Sequence, residues 1–318
     1  MKSEFRQPSE ASVHLTGLPA WAISGPAETA EIMAFRSGAA LVVLDAMVSD
    51  PGQGVPLRLL ANRLALGAAT ATSKLEGRLA READIRDAFH LAQPGEARGP
   101  DGDLLAFWRQ AGRLRMKGKD WPARLGELAG QGFEEGLDAW LEAGFVRAKT
   151  HGPLAGCVLA MWSVLAADDR AERIACLLSD LVLARSLNWQ RMLPMTAHRL
   201  TKPQLRGLVS GGAPEALAVQ GRLLASVQET IALARDLRGR AASLRAVAPK
   251  LRAKGSDAAV ALFLTEDAVG PSCMLSPLIQ GSTIGMTDRS ARRLCDRLVD
   301  LGAVRELTGR DTFRLYGV

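Results

Sequence analysis

The sequence predicts a mainly α-helical protein, in which a multi-helix body is followed by a C-terminal winged helix-turn-helix with a small β-hairpin. Three observations support this fold class. Apolar residues recur at helical spacing through most of the chain. Alanine, leucine and arginine dominate while β-branched residues are few, which favours helix over strand. The segment 286–318 has the pattern of an arginine-rich helix, a glycine stop and two short strands.

Breaks in the helical pattern divide the chain into three parts. Residues 1–26 are rich in proline and glycine and predict an irregular leader. Residues 27–250 predict a helical domain, and residues 251–318 predict a winged helix-turn-helix domain. We place the boundary between Pro249 and Gly255, where a basic stretch ends shortly before a new helix at Asp257.

Periodic apolar residues predict a series of helices in the body. One stretch, residues 150–167, is uncharged over 18 residues. It starts with Thr-His-Gly-Pro, so only Leu154 to Ala167 can form an apolar helix. That helix is too short to span a bilayer, so we expect a buried core helix and no membrane contact. The predicted helices cover 27–48, 58–80, 82–91, 103–117, 122–129, 133–149, 153–167, 169–187, 193–200, 203–209 and 214–240.

The C-terminal segment predicts three helices and a hairpin. The first helix runs from Asp257 to Ala268 and the second from Ser272 to Ile279. Thr287 is a suitable N-cap for a third helix, which Gly302 ends. The strands of the hairpin are predicted at 304–307 and 312–316.

The third helix of this segment is predicted to bury one face and to expose guanidinium groups on the other. At 100° per residue, Ala291, Leu294, Cys295, Leu298 and Leu301 fall on the core side. An arginine-bearing helix can enter the major groove, and an arginine at a hairpin tip can reach the adjacent backbone. The residues that we predict to contact DNA are Arg289, Ser290, Arg292, Arg293, Arg297, Arg310 and Arg314.

The charge of the chain is concentrated in one stretch. The formal net charge is +6. The stretch from Arg235 to Lys254 holds seven basic residues and one acid, Asp236, so its own net charge equals that of the whole chain. Such a stretch is typical of polyanion binding or, alternatively, of a solvated helix face. Segment 286–318 has seven arginines against five acids, which fits either DNA or a protein partner.

No residue pattern in the chain predicts catalysis. The cysteines at 157, 176, 273 and 295 are too far apart for a metal knuckle, and we expect buried free thiols. The acidic cluster of Glu82, Asp84 and Asp87 lies near a predicted helix start, where carboxylates favour the helix dipole. We therefore expect no catalytic residues, no metal, no cofactor and no enzymatic activity.

The leading functional hypothesis is a cytoplasmic, non-enzymatic protein that binds double-stranded DNA in regulation or replicon maintenance. In this hypothesis the helical body mediates homodimerisation or binds a protein partner. The alternative is a helical adaptor whose winged helix mediates protein–protein contacts. A third hypothesis is an enzyme that uses the helical body.

Several segments resemble the "domain of unknown function 1403" family of alphaproteobacteria. They are Asn62-Arg63-Leu64-Ala65-Leu66, Asp84-Ile85-Arg86-Asp87-Ala88, Leu177 to Trp189 and the segment 289–317, together with Ala34-Phe35 and Leu44-Asp45. The resemblance covers nearly the whole chain and implies no catalytic residue. The tail also resembles winged helices in plasmid-borne regulatory proteins, which favours DNA binding by analogy.

Overall fold

The structure is a computed structural model that describes Leu18 and residues 29–92, 95–310 and 312–318. These residues are mainly helical, with a two-stranded antiparallel sheet at the C-terminal end. The predicted mainly α class is therefore confirmed. The predicted leader lies outside the described residues, except for Leu18, which packs against the hydrophobic core.

The body contains ten α-helices among the described residues, and the C-terminal segment adds two. Short 3-10 helices lie at Pro51–Gln53, Thr196–Arg199 and Ala248–Lys250. The helices of the body are α1 (Ala30–Ser49), α2 (Leu57–Leu75), α3 (Glu82–His90), α4 (Gly99–Ala111), α5 (Trp121–Ala129), α6 (Glu134–His151), α7 (Pro153–Ala167), α8 (Glu172–Ser186), α9 (Lys202–Ser210) and α10 (Ala213–Val247). The C-terminal segment contains α11 (Ser256–Phe263), a π-helical turn (Pro271–Leu275), α12 (Asp288–Asp300), β1 (Arg305–Glu306) and β2 (Tyr316–Gly317).

Several element boundaries differ from the prediction, and three of these differences have identifiable reasons. Helix α4 begins at Gly99, before the predicted start at residue 103, because Pro100 suits the first turn of a helix. Helix α10 continues past Arg240 to Val247, since Ala241 and Leu244 extend its buried face. The predicted helix from Ser272 is reduced to the turn Pro271–Leu275, because the proline at 277 forces the preceding residue out of the helical region.

Among the described residues, the most extensive helix–helix packing joins α6, α7 and α8. Helix α7 buries Cys157, Met161 and Val164, so the expected core helix is confirmed. Helices α6 and α7 approach closely at Gly144 and Gly156. A Cβ atom added at Gly156 would clash with the carbonyl oxygen of Gly144, so this contact requires glycine.

Helix α10 is the longest helix among the described residues. Its 35 residues extend about 52 Å at 1.5 Å per residue, and it packs against α1, α7 and α9. Judged by length and composition alone, α1 could cross a membrane, with a mean hydropathy of 1.6. In the fold α1 lies along α10, and a third of this segment is buried. Its outer side exposes Phe35 and Val42.

The C-terminal segment, residues 256–318, is called the C-terminal module below. Its hairpin pairs Arg305 with Gly317 and Glu306 with Tyr316. Tyr316 also forms an antiparallel bridge with Val269, which follows α11. The hairpin is therefore joined to the start of the module as well as to α12. The domain boundary predicted near residue 250 stays a prediction.

A candidate nucleic-acid interface

Helix α12 has the local signals that fix its position and ends. The Thr287 side chain accepts a hydrogen bond from the backbone N–H of Ser290, and Asp288 lies in the first turn. Gly302 takes a left-handed conformation with φ of 66°, which ends the helix. Four of the five predicted core residues are buried, and Leu301 is half-buried. The buried residues are Ala291, Leu294, Cys295 and Leu298.

The other side of α12 is exposed, as the sequence predicts. All seven residues predicted to contact DNA, on the helix and on the hairpin, are exposed. Arg292 forms an ion pair with Asp288 at 2.9 Å, one turn earlier on the same helix. No carboxylate among the described residues lies within ion-pair distance of Arg289, Arg293 or Arg297. These three guanidinium groups are therefore available to an anionic partner.

Helix α12 and the end of the basic stretch line one cleft, which we call the α12 cleft. It has a volume of about 680 Å³ and lies between α12 and the segment from Pro249 to Ala253. Arg293, Arg297 and Ser290 line one wall, and Lys250 and Arg252 line the other. Two surfaces that are 40 residues apart in the sequence thus form one basic surface.

The two hairpin arginines predicted to contact DNA, Arg310 and Arg314, lie elsewhere and have partners. Arg310 forms an ion pair with Asp87 of α3 at 3.0 Å. The Nε of Arg314 donates to the carbonyl oxygen of Arg310 at 2.9 Å. A hydrogen bond to the Tyr316 side chain raises the pKa of Arg314, and Asp296 of α12 adds to this effect. The sequence predicts a free hairpin tip, whereas Arg310 is held against the body.

Asp87 also corrects one interpretation of the acidic cluster on α3. Asp84 does act at the helix start, where it accepts from the backbone N–H of Arg81 at 3.4 Å. Asp87 lies in the middle of α3 and accepts from the Arg86 guanidinium at 2.7 Å. It therefore serves as an ion-pair partner for two arginines and not as a dipole residue.

A buried polar cluster attaches the C-terminal module to the body. Arg109 of α4 donates to Glu266 at 2.8 Å and also contacts Asp267. His90 of α3 lies 3.2 Å from Asp267. All four side chains are almost completely buried. Because buried charges are costly unless paired, this cluster fixes how the module sits on α3 and α4.

Asp267 is the centre of this cluster. Burial alone would raise the pKa of Asp267, but His90 and Arg109 hold its pKa well below its usual range. Its Oδ2 and the Nε of Arg109 have no hydrogen-bond partner among the described residues. The carboxylate therefore depends on its two neighbours, Arg109 and His90.

Hydrogen bonds from α2 and α3 to backbone oxygens extend this attachment. Asn62 donates to the carbonyl oxygen of Thr265 at 2.8 Å. Arg63 donates to Val318 and Arg86 donates to Leu307, each at 3.1 Å. Sequence reasoning did not assign these residues a role. The signal that could have found them is the polar pair Asn62-Arg63 within the apolar pattern of α2.

The cysteines and the acidic residues do not form a metal site in the part of the chain that the structure describes. Cys157, Cys176 and Cys295 are buried, as expected, but Cys273 is exposed. Burial raises the pKa of Cys295 to about 12, so this thiol is not a ready nucleophile.

Comparison with known proteins supports one assignment. No curated protein matches the chain. A family model described as "Protein of unknown function (DUF1403)" matches residues 7–318. This match covers nearly the whole sequence, and the chain belongs to the DUF1403 family.

Proposed function

We propose that this protein binds double-stranded DNA through α12 and the α12 cleft, without catalysing a reaction on it. The observation that supports the proposal is the α12 cleft itself, where Lys250, Arg252, Arg293 and Arg297 converge. Arginine and lysine neutralise backbone phosphates, which provides most of the affinity of such proteins for DNA. We place this activity in the cytoplasm and in regulation or replicon maintenance.

We interpret the C-terminal module as a winged helix. The order of its elements supports this interpretation: α11 is followed by the Val269 bridge, then by a helical turn and α12, and finally by the hairpin. The bridge between Val269 and Tyr316 is in the place of the third strand of such a module. In this arrangement α12 is the recognition helix, and about 20 Å of helix length is enough to follow a major groove.

The positions of the arginines on α12 favour a defined docking geometry. Arg289 and Arg293 lie at the centre of the exposed side of α12, and Arg293 also lines the α12 cleft. In the major groove, arginine binds guanine through two parallel hydrogen bonds. Lys250 and Arg252 across the cleft would then contact a phosphate of the same duplex. In this geometry the α12 wall of the cleft contacts the bases, and the opposite wall contacts the phosphate backbone.

A DNA-binding measurement with varied salt tests the proposal. Fluorescence anisotropy on a library of labelled duplex fragments should show binding whose log affinity falls linearly with log salt, by about 0.9 for each phosphate contact. In an Arg289→Ala, Arg293→Ala, Arg297→Ala variant, binding should be weaker and its salt dependence smaller. These three side chains are exposed, so the variant should fold normally.

The matched control removes three exposed arginines from the body instead. Arg113, Arg170 and Arg206 are exposed and have no ion-pair partner among the described residues. Their triple alanine variant has the same net charge as the α12 variant. If both variants lose equal affinity, binding is a nonspecific charge effect and the proposal is wrong. Absence of duplex binding by the unaltered protein at low salt would also overturn it.

The alternative function is a helical adaptor whose winged helix binds protein. One observation favours it: Asp296 and Asp300 lie among the arginines on the exposed side of α12. Alternating charges suit a protein surface better than a duplex, because carboxylates are repelled by phosphates. Under this alternative the protein would bind no duplex, and the α12 variant would lose a protein partner in a pull-down experiment.

A further inference from the structure

A second basic cleft lies between α10 and the start of the hairpin, and we call it the hairpin cleft. It has a volume of about 360 Å³. Arg235 and Arg240 of α10 line one side, and Arg305 of β1 lines the other. The segment from Gly302 to Val304 and the residue Val318 complete its walls. The hairpin cleft shares no lining residue with the α12 cleft.

The positive charge of the hairpin cleft is only partly balanced. Asp236 is the carboxylate side chain that lines it, and Asp236 accepts from the Nε of Arg240 at 2.7 Å. Among the described residues, no carboxylate side chain lies within ion-pair distance of Arg235 or Arg305. Like charges that face each other across a cavity repel, and an anion between them would relieve this repulsion.

A fourth guanidinium group lies directly behind the wall of the hairpin cleft. Arg63 of α2 donates from Nη2 to the main-chain oxygen of Val318 at 3.1 Å. Its Nε is fully covered and has no hydrogen-bond partner among the described residues. Burial lowers the pKa of Arg63, and the nearby Arg305 and Arg240 lower it further, although Asp267 raises it. Arg63 therefore adds a guanidinium group behind this wall, and the Asp267 carboxylate partly balances its charge.

The Arg63 guanidinium lies close to the backbone at Gly317. A Cβ atom added at Gly317 would lie 3.1 Å from the Nη2 of Arg63 and 2.9 Å from the carbonyl oxygen of Asp267. The guanidinium of Arg63 thus lies tightly against the last strand. A half-buried guanidinium behind three others, of which Arg235 and Arg305 are exposed and Arg240 is half-buried, is a geometry that suits a small anion with several oxygen atoms.

We propose that the hairpin cleft binds a phosphate group through Arg235, Arg240 and Arg305. Guanidinium groups bind phosphate through paired hydrogen bonds, and a tetrahedral phosphate can accept from several arginines at once. A planar carboxylate has only two oxygen atoms, so it offers fewer acceptors than phosphate to three guanidinium groups. The phosphate group is either that of a small ligand or a backbone phosphate of bound nucleic acid. The proposal does not depend on DNA binding by α12.

Thermal unfolding of the full chain in inorganic phosphate tests the site. At constant ionic strength set with chloride, added phosphate should raise the Tm in a saturable way, by about 2–4 °C. Arg305→Gln removes one of the three proposed guanidinium groups and should abolish this shift. Arg305 is exposed, so its loss should not disturb the core. Arg113→Gln, a matched exposed arginine of the body, should keep the whole shift.

Two results would overturn the proposal: no saturable shift in the unaltered protein, or a shift that survives in Arg305→Gln. An Arg293→Gln, Arg297→Gln variant provides a further check, because it alters only the α12 cleft. If this variant loses the shift and Arg305→Gln keeps it, phosphate binds in the α12 cleft and the present assignment is wrong.

A competition experiment distinguishes the two sources of the phosphate group. If inorganic phosphate at constant ionic strength displaces a bound duplex from the unaltered protein but not from Arg305→Gln, the source is a backbone phosphate. If the duplex stays bound and a nucleoside 5′-monophosphate shifts the Tm at lower concentration than phosphate does, the source is a small ester. If the unaltered protein binds no duplex but shows the saturable Tm shift with phosphate, the proposed DNA-binding function is wrong and the phosphate site stands.

Discussion

The C-terminal module has ion pairs of similar length on its body-facing side and on its exposed side, but they differ in what they do. On the body-facing side, Arg109 and Glu266 lie 2.8 Å apart and are almost completely buried. On the exposed side, Arg292 and Asp288 lie 2.9 Å apart in solvent. Removing one partner of a buried pair costs about 3–5 kcal/mol, whereas an exposed pair contributes about 0–1 kcal/mol. Distance alone therefore does not show which charges hold the fold together.

This difference separates the charges of the module into two groups. The carboxylates of Glu266 and Asp267 pair with side chains of α3 and α4 and attach the module to the body. The guanidinium groups of Arg289, Arg293 and Arg297 make no such pair and stay available. The same module can thus be fixed on the body by its acids and present its cations to a partner.

The largest expected effect is on stability and comes from Asp267→Asn. This change leaves His90 and Arg109 without their shared carboxylate in a buried site, so the free energy of unfolding should fall by about 3–5 kcal/mol. Chemical denaturation at pH 7 measures it. The control is Asp120→Asn, which breaks an exposed pair with Arg124 and should cost about 0.3–0.5 kcal/mol. Equal losses in the two variants would show that the buried cluster does not hold the module.

The pH dependence of unfolding sharpens the same comparison. Because His90 and Arg109 depress the pKa of Asp267 in the folded state, its stabilising contribution is present above the unfolded pKa of about 3.9. This contribution is lost as the pH falls below that value towards the folded pKa. The unaltered protein should lose stability between about pH 5 and pH 2 more steeply than Asp267→Asn does. Parallel curves for the two proteins would contradict the ion pair.

Local sequence rules were sufficient for most of the fold and for the exposed side of α12. Helix α7 and the start of α12 follow the predicted bounds, since Pro153, Thr287 and Asp288 are strong local signals. The buried side of α12 follows from its 3.6-residue period. The exposure of Arg289 and Arg293 is then a necessary consequence.

The contacts between distant segments could not be predicted in the same way. Arg109 and Asp267 are 158 residues apart, and no local pattern indicates that they meet. The pairing of Arg310 with Asp87 likewise depends on how the hairpin packs on α3. Both clefts also form between segments far apart in the chain, so their volumes are properties of the packing. Tertiary contacts therefore decide which predicted arginines stay free.

An intermediate effect is expected for Arg293→Ala on DNA binding. If Arg293 binds a guanine base, affinity for a preferred duplex should fall by about 1–3 kcal/mol, or roughly 5- to 150-fold. Affinity for a scrambled duplex should fall much less, because no base contact is lost there. Fluorescence anisotropy on both duplexes measures the ratio, and Arg113→Ala is the control. An equal loss on both duplexes would assign Arg293 to phosphate contact only.

The smallest effect is expected for Arg310→Ala. Arg310 is held by Asp87, and its side chain is half exposed, so the pair should contribute about 0.2–1 kcal/mol to stability. Asp87 keeps a second partner in Arg86, which limits the loss further. DNA affinity should change less than in Arg293→Ala, since the Arg310 guanidinium is already engaged with the body. An affinity loss as large as that of Arg293→Ala would show that Arg310 leaves Asp87 when DNA binds. The division between fixed and free arginines would then hold only for the unbound protein.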